Sequence, residues 1–201
     1  MAYASWVTPS KVSGSGDDTV SWTGSVHTGR NSRSTTATFA ASGVESKTLT
    51  IVQSGKTEFV DIDDSATIAK TGGTVTISGT SNSSKLTFSI TGQDNIGLTL
   101  PASYLANSVS TNNGAAITGD PGATQQFSFS ITFTGINENT SISSLTSQIT
   151  VTTNNGTTDT CTITQAAGDA YLTISPSTIT IPADGTAQSV TVSSNTSWTI
   201  S

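Results

Sequence analysis

One cysteine, one histidine and one methionine stand among 201 residues, and only 10% of the chain is charged. Each scarcity excludes something. The lone cysteine, Cys161, rules out an internal disulfide framework. The lone histidine, His27, lies in the polar stretch TGSVHTGRNSR beside neither a carboxylate nor a serine motif, so neither a catalytic triad nor an ordinary zinc site forms around it. The seven basic residues are scattered and the net charge is −6, which leaves no Lys and Arg footprint for phosphates and no nucleic-acid partner. No apolar run approaches the roughly eighteen residues that cross a bilayer, so no membrane partner is expected. The N-terminus has neither the basic start nor the apolar core of an export signal; if Met1 is the native start, the protein is expected to stay in the cytoplasm where it is made.

The remaining chemical candidates are weak. Gly55-Lys56-Thr57 imitates the end of a phosphate-binding loop, but Thr50 stands where the first glycine is needed and no helical pattern follows, so it reads as a linker. Asp61, Asp63 and Asp64 form the densest acidic cluster. A calcium site at a sandwich rim is one reading, yet the ligand count is short and there is no glycine-turned calcium loop. A solvated edge strand that resists sheet aggregation fits better. Cys161 alternates with Ile163 in TDTCTITQ and reads as a small buried apolar residue. No catalytic residue, metal ligand or cofactor is expected.

What the chain does have is short alternating strands between turn residues, rich in Ser, Thr, Gly and Asn, which predict an all-β protein. Residues 59–168 read as one complete sandwich. Its strands are expected at 74–78, 85–91, 126–133, 147–153 and 158–165, with Asn154-Asn155-Gly156 as the hairpin turn between the last two. The stretch 92–124 breaks the pattern. It is either an extra hairpin with a turn of helix at 101–107 or a protruding functional loop, and the loop is preferred.

The chain also repeats itself. Ile62 and Ile174, Ser65 and Ser177, Gly73 and Gly185, and Gln53 and Gln165 are each 112 positions apart. Residues 171–201 therefore read as the front half of a sandwich, and residues 1–55 as the back half of one. Together they make 86 residues, close to one immunoglobulin-like domain of about 100.

Taken as SNTSWTIS (194–201), then ASWVTPSKVSGSGDD (4–18), NSRSTTATF (31–39) and KTLTIVQSG (47–55), the two ends resemble the BACON domain. That family is an immunoglobulin-like sandwich common in Bacteroidetes and in the phages that infect them. The match covers about 86 of 201 residues, and here the second half comes first. The expected architecture is thus tandem immunoglobulin-like, BACON-like β-sandwiches, one complete in the centre and one split between the termini.

The resemblance implies that Trp6 and Trp198 belong to a sandwich core. It also implies glycan contact, for which Trp22, near a loop, and Tyr104, in the 92–124 stretch, are the aromatic candidates. The seam of the split domain is expected at Leu172, Ile174, Val190, Val192, Trp198 and Trp6. Left uncovered, these aliphatics with Ile179 and Ile181 would forfeit about 1.5 to 3 kcal/mol each, so neither half is expected to be stable without a mate. Three arrangements supply one: a longer tandem protein, exchange between copies, or closure within one chain.

The function expected on these grounds is a non-enzymatic virion structural protein of a phage, as head fibre, capsid decoration or tail component, assembled in the host cytoplasm. Its partners would be other virion proteins or copies of itself, with surface glycans as a weak addition. The alternative is an extracellular carbohydrate-binding or adhesion module of a bacterial surface protein or glycoside hydrolase.

Overall fold

The computed structural model describes residues 3–92 and 96–201. Alternation builds its central sandwich. In β11 (Phe127–Ile136), Phe127, Phe129, Ile131 and Phe133 are buried while the serines and threonines between them face away from the core. β11 lies in a five-stranded sheet ordered β10-β9-β11-β7-β5, with β5 (Val60–Ile62), β7 (Gly73–Ser81), β9 (Ser103–Ala106) and β10 (Val109–Asn112). The opposing sheet has four strands ordered β6-β13-β12-β8, from β6 (Ser65–Ile68), β8 (Leu86–Thr91), β12 (Leu145–Thr153) and β13 (Thr158–Gln165). Among the described residues only β6 and β13 pair in parallel. Ile77, Phe133, Leu86, Phe88, Ile149 and Ile163 meet between the two layers, which makes this all-β unit an immunoglobulin-like sandwich.

Asn154, Asn155 and Gly156 turn the chain between β12 and β13, and the glycine takes φ 92°, which a side chain would resist. Of the two readings of 92–124 the extra hairpin is the one found and the preferred protruding loop is corrected, although residues 93–95 lie outside the described residues. Residues 103–106 and 109–112 are strands of an antiparallel hairpin, not a turn of helix or a protruding loop, and β9 joins β11. Its two-residue turn uses Asn107 and Ser108, both at positive φ, whose twist suits paired strands. Beyond β10, the Asn113 amide brackets the Phe88 backbone at 2.8 and 3.1 Å, and Ala116 bridges to Lys85. The segment thereby covers the free edge of β8.

Both flanks are smaller. At the N-terminus β1 (Val7–Pro9) pairs with β2 (Trp22–Gly24), and β3 (Arg33–Phe39) with β4 (Lys47–Gln53). At the C-terminus β14 (Leu172–Ser175) pairs with β15 (Thr191–Ser194). Among the described residues no strand of one end pairs with a strand of the other, so closure within one chain is not the arrangement adopted.

The repeat is visible strand by strand. The β3–β4 pairs, Arg33↔Gln53 through Phe39↔Lys47, are the β12–β13 pairs Leu145↔Gln165 through Val151↔Asp159 moved back 112 positions. The β14–β15 hairpin repeats β5–β7, since Leu172↔Ser194 and Ile174↔Val192 match Val60↔Ser81 and Ile62↔Gly79. The spacing there is 112 on the first strand and 113 on the second. Gly72 at φ 74° donates to the Ala69 carbonyl, and Gly185 at φ 75° donates to that of Pro182. Gly185 thus matches Gly72, which corrects its pairing with Gly73 and shifts Ser65 from Ser177 onto Thr178; the added residue lies at Ser175-Pro176-Ser177.

Candidate functional site

Chemistry is sparse in the folded chain. His27 Nε2 lies 2.7 Å from the Asn31 carbonyl oxygen, and among the described residues no three His, Cys, Asp or Glu side chains gather as a metal cage would require. Cys161 is fully buried, and burial, with Asp63, Asp64 and Asp159 nearby, pushes its thiol up to about 11. A protonated, enclosed thiol is no nucleophile. Of the acidic cluster, Asp63 accepts from the Ser78 amide at 2.8 Å and Asp61 faces solvent on β5, an edge strand.

The glycan candidates part company. Tyr104 is only 3% exposed, its ring centroid 4.9 Å from that of Phe88, so its assignment to glycan contact is corrected: the alternation of β9 turns it into the core. Trp22 is half-buried and meets Tyr3 edge to face at 5.3 Å. It lines an open cleft of about 790 Å³ with Val12, Ala37, Phe39 and Val44. Trp6 is also half-buried, under the Arg33 guanidinium at 4.5 Å.

The seam residues fall on two separate bodies. Leu172, Ile174 and Val192 share the β14–β15 hairpin, and Val190 and Trp198 sit just outside it, whereas Trp6 lies at the other end of the chain. Leu172, Ile174, Val190 and Trp198 are exposed, as are Phe39, Leu49 and Val52 on β3 and β4.

The joints between the pieces were not legible in advance. Arg30 reaches from the N-terminal piece into the sandwich. Its guanidinium grips both Asp120 oxygens at 2.6 and 2.7 Å, donates to the Asn82 carbonyl, and lies 3.1 Å from the Glu58 carboxylate. Glu58 is 2% exposed and also accepts from Ser83 and from the Asn155 amide. The Arg30 contact holds the Asp120 carboxyl below the usual carboxylate range.

Around this cluster the wiring is that of the second joint. Gln53 donates to the Ser25 carbonyl and Gln165 to that of Asn137. The Lys56 amide bonds Gly29, and the Gly168 amide bonds Ser141. The Asn82 amide side chain spans Thr57 and the Phe59 amide, as Asn195 spans Asp169 and the Tyr171 amide. The two joints differ in their charges: where the first has Arg30 and Glu58, the second has exposed Ile142 and Ala170, and Asp169, which pairs with Lys70, stands where the first has Thr57.

No family model matches the chain, and no curated protein matches it. Among solved structures it is similar to protocadherin gamma B2 extracellular cadherin domains 1–5, at a TM-score of 0.38 and 12% identity. That alignment covers 98% of this chain and 38% of the protocadherin chain.

Proposed function

We propose that this chain is a non-enzymatic structural protein of a phage virion, a head fibre, capsid decoration or tail component built from repeated BACON-like units. The observation that carries the reading is the repeated joint. Gln53 and Gln165, the Lys56 and Gly168 amides, and Asn82 and Asn195 make the same bonds at successive junctions, so each unit meets the next through the same contacts. An array so joined is a spacer of defined pitch, as quasi-one-dimensional repeat proteins are.

A particle is a natural setting, because many copies displayed together convert weak contacts into avidity. Protein composition of purified particles tests the proposal: the chain is expected at a fixed copy number and on the particle surface by antibody labelling. Its absence from particles, with an export signal ahead of it in the gene, would sink the reading.

The Trp22 cleft favours a second task, weak adhesion to surface glycans, since aromatic faces flanked by polar groups suit sugar rings. Loss of glycan-array binding in Trp22→Ala supports it; no binding at millimolar sugar removes it.

A further inference from the structure

The complete sandwich shows what covers the faces that the two ends leave bare. Its β12–β13 hairpin is flanked by β6 on one side and β8 on the other. The β3–β4 hairpin, identical in register, has no strand on either side among the described residues. Counterparts of both missing strands lie in 171–201. The turn closed by Gly185 places Ile179 and Ile181 where Ala66 and Ile68 stand in β6. Trp198 and Ile200 follow the alternation of Leu86 and Phe88 in β8 with the spacing back at 112, because the connection from Asn195 to Trp198 is one residue shorter than that from Asn82 to Leu86. Residues 178–181 have no strand partner here and are not a strand.

We propose that residues 171–201 of one copy complete the β3–β4 hairpin of a second copy, with 178–181 parallel to β4. The register is inherited from β6 and β13, where Ser65, Ala66, Thr67 and Ile68 oppose Thr162, Ile163, Thr164 and Gln165. It reads Thr50↔Thr178, Ile51↔Ile179, Val52↔Thr180 and Gln53↔Ile181. Ile179 and Ile181 then turn inward beside Ile51, and Val52 and Thr180 turn out. A slip of one residue would reverse both faces. On the other flank Ile200 runs beside Phe39, as Phe88 runs beside Val151.

A second copy is the occupant because the fitting sequence is this chain's own and, among the described residues, no pairing joins the two ends within the chain. Such contacts are head to tail and leave a free end on each copy, so association builds open chains. Asp184 is the only charged side chain in 171–201, so association is apolar and insensitive to salt. This rests on the structural reading above and names its partner, yet a chain could be found on particles and still fail here.

Cysteine pairing tests the register on the full chain. A copy carrying Val52→Cys is mixed with a copy carrying Thr180→Cys under mild oxidation; both positions face outward, so the core is untouched. The expected result is a disulfide-linked product of twice the chain mass, at least fivefold more abundant than from Val52→Cys mixed with Thr178→Cys. Equal yields, no linked product, or linkage only when both cysteines share one chain would overturn the proposal. Light scattering of the unaltered chain is the companion measurement. Mass rising with concentration, alike at low and high salt, is expected; a 20.4 kDa monomer at all concentrations contradicts it.

Discussion

Val151 and Phe39 occupy the same place in the same hairpin register, yet Val151 is 0% exposed and Phe39 46%. Cys161 and Leu49 differ likewise, at 0% and 38%, and Ile62 and Ile174 at 2% and 54%. The strands pair identically because register comes from the hairpin's own residues and turn. Burial comes from an opposing sheet, which the centre has in full, the N-terminal end has in part, where Val7 and Ala37 are buried, and the C-terminal end lacks among the described residues. The backbone of a unit is thus settled locally, and its stability is settled by what faces it.

The comparison breaks most sharply under truncation. Phe88→Ala should cost about 3 to 5 kcal/mol in urea unfolding, because the cavity sits between two full sheets. Phe39→Ala in dilute solution should cost under about 1 kcal/mol, since its side chain is already wet. Equal losses would mean that the ends are packed after all. At high concentration the Phe39→Ala cost should rise toward the Phe88→Ala value.

The next effect separates the two joints. Arg30→Ala leaves the Glu58 carboxylate enclosed without its cation and should cost about 3 kcal/mol. Ile142→Ala at the equivalent place, exposed, should change stability by no more than about 0.5 kcal/mol. Equal values would make the joints energetically alike despite their chemistry.

The smallest effects come from pH. Asp120 is depressed below its usual value of 3.8, so the stability its ion pair supplies is present above that value and is lost as pH falls through the lowered one. Acid unfolding below about pH 4 should therefore be shallower in Asp120→Asn. Cys161 and Tyr104 are raised to about 11 and 12, mainly by burial. Their contribution is intact at neutral pH and is lost as pH climbs past 9 to 11 for the thiol and 10 to 12 for the phenol. Both groups sit in the central unit, so melting curves at pH 8 and 11.5 should show the loss there and none in the ends.

Much of this was legible beforehand where the signal is local. Alternation placed the strands, Asn154-Asn155-Gly156 marked its hairpin, and the 112-residue spacing of Gln53 and Gln165 marked β4 as a copy of β13, while the match of β3 to β12 came only with the register. Tyr104 was misread because the β9–β10 turn uses Asn107 and Ser108 at positive φ, with no glycine to announce it. The spacing slipped to 113 because one extra residue before Ile179 leaves the apolar pattern unchanged. The Arg30 joint was invisible for another reason. Its partners Glu58, Asn82 and Asp120 stand 28, 52 and 90 positions away, and only the folded chain brings them together.

Amide hydrogen exchange on β4 against β13 tests the central claim most directly, because β13 has the parallel neighbour β6 and β4 has none among the described residues. In dilute solution the Thr50 and Val52 amides, which point away from β3, should exchange freely while the matching Thr162 and Thr164 amides on the β6 side stay protected, and at high concentration β4 should slow toward the β13 rates. Protection of β4 that is the same at every dilution, whether full or absent, would contradict completion by a second copy.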